Sequence, residues 1–238
     1  KPSTSGIAMH QFEAKFARLV IQFRWAIITI SIITMVIAAA GATHLRFDGS
    51  YRVFFGPENP QRIALEELEN TFVKNDNLMI AVAPANGDTF TRESLAIIEE
   101  LTERAWQIPY SNRVDSLTNF QYTEAENDAL VVRDLVENAT GLTDREIAKI
   151  KQIALREPLL RDMLIREDSA VSGLFVNIQM PGDDPTKEQA QAVRFARTLA
   201  AEIESKYAGT HIYLTGNVMM NNAFPEATVA DLKTLIPL

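Results

Sequence analysis

The hydrophobic pattern divides the chain into one uninterrupted apolar segment near the N-terminus and a long remainder in which apolar and polar positions alternate. The apolar segment covers residues 25–43 (WAIITISIITMVIAAAGAT) and contains no charged side chain. At about 1.5 Å of rise per residue, a helix of this length measures roughly 28 Å, close to the ~30 Å hydrocarbon thickness of a bilayer. The pattern therefore predicts a transmembrane helix over residues 25–43.

A cleavable secretory signal is the main alternative for this segment. Ala40-Gly41-Ala42 has the small-residue form that signal peptidase accepts, and Lys15, Arg18 and Arg24 supply the positive charge that precedes a signal. The apolar run, however, exceeds the usual length of about 7–15 residues for the apolar part of a signal. Its length favours a retained span. A buried helix of a soluble domain is disfavoured because such a helix normally has a polar face.

Residues 1–24 carry a second helical pattern. Five apolar side chains recur at the spacing of one helical face, namely Phe12, Phe16, Leu19, Val20 and Phe23. This spacing predicts an amphipathic helix at the membrane interface, and a plain extension of the spanning helix is the alternative. Basic residues are equally frequent on both sides of the apolar run, but Arg24 adjoins it, which favours an N-terminus in the cytoplasm.

Small side chains cluster near the end of the predicted span. Ala38 and Ala42 are four residues apart, so they share one helix face, and Gly41 lies beside them. A stripe of small residues lets two membrane helices approach closely. We therefore expect Ala38, Gly41 and Ala42 to pack against other membrane helices.

Helix-start signals recur after residue 43. Asn59-Pro60 is an N-cap followed by a proline in the first turn, Thr143–Glu146 is a capping box, and Asp184-Pro185 repeats the first signal. Pro225 is interpreted in the same way, as the first residue of a helix that runs through Leu238. The predicted helices cover residues 60–72, 91–106, 143–157, 158–166, 185–207 and 225–238.

Short apolar segments lie between these helices and predict the strands of a sheet. The main strands are expected at residues 78–83, 113–120, 170–180 and 211–215. They complete two β-α-β units, one on each side of an insertion with further strands around a polar turn at 124–128. Two such units are typical of a ferredoxin-like α+β sandwich. We therefore predict a transmembrane helix, a ferredoxin-like extracytoplasmic domain over residues 44–224, and a helix over residues 225–238 that leads to a second membrane helix.

Composition and motifs restrict the function. The chain has 31 acidic and 23 basic residues, a net charge of −8 and no cysteine. An acidic domain without a Lys/Arg cluster argues against nucleic acid as a partner. His10, His44 and His211 are isolated, and no HExxH, P-loop or G-x-S-x-G motif occurs. No catalytic residue, metal or cofactor is therefore predicted, and the protein is not expected to be an enzyme.

Several segments, taken together, resemble the start of resistance–nodulation–division (RND) transporters. They are a basic tail and one span, residues 48–60 (DGSYRVFFGPENP), Asn75-Asp76-Asn77 before a strand, and the strand end YLTGN at 213–217 with Pro225 beyond it. The sequence is most similar to the hydrophobe/amphiphile exporter branch, which includes the mycobacterial membrane-protein-large and the hopanoid exporters.

This resemblance implies a protein with twelve membrane helices, two large extracytoplasmic porter loops and a proton relay of acidic residues in central membrane helices. The sequence corresponds to the first helix and the first loop, so we expect it to be the N-terminal portion of such a transporter. Residues 25–43 contain no charge, so no proton-relay residue is assigned in this segment.

The function implied by the resemblance is proton-driven export of hydrophobic or amphiphilic, lipid-like substrates from a bacterial inner membrane. Phe54 and Phe55 are candidates for lining a substrate entrance, and Met219 and Met220 for contacting substrate where the domain ends; interface anchoring or core packing is the alternative role. Expected partners are membrane lipid, the substrate, the rest of the transporter chain, and a second copy or a periplasmic protein. A membrane-anchored ligand-binding domain of a signalling receptor is the alternative function.

Overall fold

A computed structural model describes residues 19–42, 55–71, 76–126, 129–161 and 163–235. The chain divides into two compact units, Lys1–Phe47 and Asp48–Leu238. Helix α1 (Arg24–Ala42) belongs to the first unit. Of the amphipathic helix expected over residues 1–24, residues 19–22 are helical, and the first eighteen residues lie outside the described part of the chain.

Helix α1 is apolar on all sides. Its side chains from Arg24 to Gly41 are exposed, and this stretch is long and apolar enough to cross a membrane. Thr29 Oγ1 donates to the Trp25 carbonyl at 2.8 Å, which satisfies the hydroxyl within the helix as hydrocarbon surroundings would require. Thr34 makes the same bond one turn later, at 2.9 Å. The expected apolar N-terminal helix is confirmed, with the properties of a membrane anchor or a signal sequence.

The second unit combines six helices and two sheets in the described ranges. Its helices are α2 (Pro60–Thr71), α3 (Arg92–Ala105), α4 (Asp144–Arg156), α5 (Pro158–Arg161), α6 (Pro185–Lys206) and α7 (Asn217–Leu235). Its strands are β1 (Asp76–Ala83), β2 (Ser111–Asp115), β3 (Gln121–Glu126), β4 (Ala129–Asp134), β5 (Ser172–Ile178) and β6 (His211–Thr215). The mixed α+β class predicted from the sequence is confirmed.

The main sheet has the strand order β2-β5-β1-β6, and every neighbouring pair is antiparallel. In its centre, Ile80 of β1 pairs with Leu174 of β5 and with Leu214 of β6. Leu78, Ile80 and Val82 are buried at alternate positions, so one face of β1 meets the core. Helices α3 and α6 bury apolar side chains in the same core. The units β1-α3-β2 and β5-α6-β6 therefore share one sheet and one core.

An insertion between β2 and β5 holds the β3–β4 hairpin, a short 3-10 helix (Ala139–Gly141), α4 and α5. The expected capping box at the start of α4 is present. Thr143 Oγ1 accepts from the Glu146 backbone N–H at 3.3 Å, and the Glu146 carboxylate accepts from the Thr143 backbone N–H at 2.7 Å. This reciprocal pair fixes where α4 begins.

Several elements are shorter than the sequence pattern predicted, and β2 and α5 show the physical reason. Strand β2 ends at Asp115 because a turn follows, in which Asn119 Oδ1 accepts from the Ser116 backbone N–H at 2.8 Å. Helix α5 ends at Arg161, because the chain then crosses to β5, where Ile165 forms a β-bridge with Ser172. Both ends are set by contacts that follow the element rather than by its own helix or strand propensity.

Pro225 does not open a helix, so that prediction was wrong. Helix α7 begins at Asn217 and Pro225 lies inside it. The helix starts early because Asn77 Oδ1, on β1, accepts from the Asn217 backbone N–H at 3.2 Å and so supplies an N-terminal cap from a distant residue. The predicted domain boundary at residue 224 therefore falls within a helix.

Candidate functional site

The chain enters and leaves the main sheet at the same end. Met79 of β1 pairs with Thr215 of β6, so the start of the first strand lies beside the end of the last. Gly216 then turns the chain into α7 with a φ of +110°. A Cβ at Gly216 would lie 2.6 Å from the Asn77 carbonyl oxygen, so only glycine fits this corner. The incoming and outgoing segments are therefore in direct contact.

Helix α7 is buried at its start and exposed farther along. Val218, Asn221 and Asn222 are buried, whereas most described side chains over residues 223–231 are exposed. Pro225 has no backbone N–H to donate, which weakens the helix between its two halves. The first half of α7 therefore belongs to the domain core, and the second half extends along the surface.

One ion pair ties the second half of α7 to α6. The Arg197 guanidinium donates to both carboxylate oxygens of Glu226, at 2.8 and 2.9 Å. The hydrogen bonds from Arg197 hold the pKa of the Glu226 carboxyl below its usual value, and the same bonds raise the pKa of Arg197. Both side chains are about half exposed, at 49% each, so the pair is held in water-accessible surroundings.

We expect Glu226→Gln to loosen the second half of α7 by about 0.5–1 kcal/mol, the size of an exposed ion pair. The folded pKa of Glu226 is lowered, so the pair stabilises the helix above the unfolded pKa of the carboxyl and is lost as the pH falls through the folded pKa. Amide-exchange protection over residues 226–231 should therefore differ between variant and parent at neutral pH and converge in acid. Equal protection at neutral pH would contradict this role.

A cleft with an apolar interior and a volume of about 440 Å³ lies in the described part of the second unit. It lies over the face of β2 and β5 that is opposite to α3 and α6. Phe175 points to this face because it alternates along β5 with the core residues Leu174 and Val176. Its apolar lining consists of Phe120, Leu159, Leu160, Met163, Leu164 and Phe175.

The wall of this cleft is α5 and the segment that follows it. Leu159 is 63% exposed and Met163 is 59% exposed, although both side chains are apolar and line the cleft. The backbone behind them is held to the sheet, since the Gly173 N–H donates to the Leu164 carbonyl at 2.6 Å. The cleft therefore combines a fixed floor with two large apolar side chains left in water.

The polar end of the cleft is electrically neutral. Arg113 Nε donates to both carboxylate oxygens of Asp115 at 2.9 Å, and this hydrogen bond raises the pKa of Arg113. Asn119 and Gln121 add amide groups to the same end. The Asn119 amide already donates to the Val114 carbonyl at 2.7 Å. The cleft thus offers an apolar interior beside a balanced ion pair.

A larger groove of about 690 Å³ lies between α6 and α7, but its lining is charged. Arg197 and Glu226 are paired with each other, and Lys206 pairs with Glu100 at 2.8 Å. Because charged side chains line much of this groove, the smaller cleft with its apolar lining is the better candidate for binding an apolar ligand.

Among the described residues, those singled out from the sequence do not line this cleft. Phe54 lies outside the described residues. Phe55 is 46% exposed ahead of α2, and its carbonyl accepts from Arg62 Nη1 at 2.9 Å. Met219 packs half-buried against the core, and Met220 is 48% exposed on α7. The entrance role of Phe54 and Phe55 and the substrate contacts of Met219 and Met220 stay predictions.

The small-residue stripe lies on α1. Ala38 and Gly41 are exposed, and a Cβ at Gly41 would meet no atom within 4 Å. The helix therefore leaves room at this stripe for another element to approach closely. Packing of Ala38, Gly41 and Ala42 against other membrane helices stays a prediction.

Sequence reasoning missed the cleft and one buried carboxylate. Glu188 is 6% exposed and accepts from the backbone N–H groups of Gly182, Asp183 and Asp184 at 2.9–3.1 Å. A glutamate four residues after the Asp184 N-cap was the available signal, because a first-turn carboxylate faces free N–H groups. Glu188 holds the loop between β5 and α6 and has no ligand-binding geometry of its own.

A cluster of metal-binding side chains is not found in the described ranges. They contain no group of three or more His, Cys, Asp or Glu side chains close enough to hold an ion. No protein-family model matches the sequence, and no curated protein matches it either.

Proposed function

We propose that this chain forms the first membrane helix and the first extracytoplasmic loop of a proton-driven RND-type exporter for hydrophobic or amphiphilic, lipid-like substrates. The main observation that supports this proposal is the corner at Asn77, Gly216 and Asn217, where the incoming and outgoing chain segments are in contact. A domain inserted between two adjacent membrane helices needs its two ends close together, whereas a free ectodomain has no such requirement.

The ferredoxin-like assignment is part of this proposal. It is supported by two β-α-β units in one antiparallel sheet, with the order β2-β5-β1-β6 and helices α3 and α6 packed in one core. In this order the first and last strands of the pair of units, β1 and β6, are neighbours. Because β1 and β6 are neighbours, the chain leaves the sheet beside the point where it entered it.

The membrane location is also proposed. The apolar surface of α1 supports a span in the bacterial inner membrane, with the N-terminus in the cytoplasm and the sheet domain in the periplasm. Residues 25–43 carry no charge, so proton coupling is assigned to other helices of the transporter. In this account α1 is a scaffold for transport.

The reading frame downstream of the Leu238 codon distinguishes the exporter from the receptor. An exporter predicts several further apolar spans and a second extracytoplasmic αβ loop. A second span followed by a cytoplasmic signalling module would instead support a receptor and would overturn the exporter proposal.

The entrance role of the aromatic pair has its own test. We expect the double variant Phe54→Ala/Phe55→Ala of the full transporter to export an apolar substrate about tenfold more slowly, because exposed aromatic side chains supply large apolar contact area. Expression and membrane insertion should be unchanged, and Trp106→Ala is a control at a similarly exposed aromatic side chain. Export at the parental rate would refute the entrance role.

A further inference from the structure

We propose that the cleft between α5 and the open face of β2 and β5 binds one neutral amphiphile. Its apolar part would lie between Phe120, Phe175 and Met163, and its polar head would lie at the Arg113–Asp115 pair. The identity of this ligand as transported cargo rests on the proposed function, whereas its binding to the cleft does not.

The apolar part is inferred from what the cleft leaves unburied. Leu159 and Met163 are more than half exposed on the wall, while Phe175 on the floor is half-buried. A chain or ring system placed between floor and wall removes all three side chains from water at once, which is the main source of apolar binding energy. The unbranched Met163 side chain can adapt to ligands of different shape.

The neutral head is inferred from the charges at the polar end. A carboxylate or phosphate there would face Asp115, and an ammonium group would face Arg113, so either charge meets repulsion as well as attraction. The Arg113 Nε already donates to both Asp115 oxygens. A hydroxyl can donate to Asp115 or accept from Arg113, and an ester carbonyl can accept from Arg113, without disturbing that pair. The structure therefore favours an alcohol or ester head over a charged one.

The size of the cleft fits this ligand class. Its volume of about 440 Å³ is within the range of about 300–1,000 Å³ that is common for small-molecule sites. The larger groove between α6 and α7 has mutually paired charges at its surface and suits an apolar ligand less well.

The test is photolabelling of the full chain in phosphatidylcholine nanodiscs with a diazirine analogue of dodecanol. After irradiation and digestion, mass spectrometry maps the labelled residues. We expect label concentrated at residues 159–164 and at Phe175, and we expect unlabelled dodecanol to compete at least tenfold better than dodecanoate or dodecyltrimethylammonium.

Two variants and a matched control sharpen this test. Met163→Glu and Leu159→Gln place polar groups in the wall, and each should reduce cleft labelling about tenfold. Both side chains are exposed, so the sheet domain should keep its circular dichroism and melting temperature. Leu130→Glu changes an apolar side chain that is 76% exposed on β4, outside the cleft, and should leave labelling unchanged.

Labelling that follows exposure alone, with Leu130 and Phe224 modified as strongly as Met163, would overturn the proposal. So would unchanged labelling in both wall variants, or stronger competition by either charged amphiphile. If the cleft is labelled but the reading frame encodes a receptor, the binding site stands and the exporter proposal fails. Failure of the binding site and failure of the exporter proposal are therefore distinguishable.

Discussion

Replacing Gly216 with alanine is expected to lower the free energy of unfolding of the sheet domain by about 2–6 kcal/mol. The φ of +110° accounts for about 1–3 kcal/mol of this, because side chains other than glycine rarely adopt it. The Cβ would also lie 2.6 Å from the Asn77 carbonyl oxygen, and relieving such overpacking adds about 1–3 kcal/mol. Urea unfolding of the full chain, followed by Trp106 fluorescence in a Trp25→Phe background, measures the loss.

Gly182→Ala is the matched control for this prediction. Gly182 also has a positive φ, of +91°, but a Cβ there would meet nothing within 4 Å. It should therefore lose only the conformational part, about 1–3 kcal/mol. The difference between the two variants reports the contact between the incoming and outgoing segments. Equal losses would mean that the corner at Asn77 and Gly216 is not tightly closed.

Replacing Glu188 with alanine is expected to destabilise the domain by about 2–4 kcal/mol. The buried carboxylate accepts from three backbone N–H groups in the partly buried loop before α6, and its removal leaves them without this partner. Each unsatisfied buried group costs about 1–3 kcal/mol, reduced where water can enter. The same fluorescence measurement applies, and Glu188→Gln should lie between parent and alanine because it retains one acceptor oxygen.

Glu103→Ala controls for the loss of a glutamate as such. Glu103 is exposed on α3, so its substitution should change the free energy of unfolding by no more than about 0.5 kcal/mol. If Glu188→Ala were as mild as Glu103→Ala, the loop between β5 and α6 would not depend on the buried carboxylate.

The elements that could be predicted from the sequence are those with a local cause. The apolar run predicted α1 because no charged residue interrupts it. Thr143 and Glu146 predicted the start of α4 because both halves of the capping box lie within one helical turn. The Asp184-Pro185 signal predicted the start of α6 for the same reason.

The elements that could not be predicted have distant causes. Helix α7 begins at Asn217 because its cap comes from Asn77 on another strand, so the local proline signal at Pro225 was misleading. The cleft brings Phe120, Met163 and Phe175 together from three separate segments. The hydrophobic pattern of a single segment does not reveal contacts between distant segments. The candidate residues chosen from the sequence therefore did not include the residues of this cleft.

The proposed topology has one membrane crossing between the N-terminus and a periplasmic sheet domain. The chain has no native cysteine, so single-cysteine variants report accessibility without background. Ser3→Cys marks the N-terminal segment, and Ser205→Cys marks an exposed position on α6. Labelling of the full-length protein with a membrane-impermeant maleimide, in cells whose outer membrane has been permeabilised, measures the side on which each lies.

With this topology, we expect Ser205→Cys to be labelled in these cells and Ser3→Cys to be labelled only after the inner membrane is lysed. Protection of Ser205→Cys until lysis, or labelling of both positions in unlysed cells, would contradict it. Loss of the residue 3 segment from the mature protein would identify α1 as a cleaved signal and would contradict it as well.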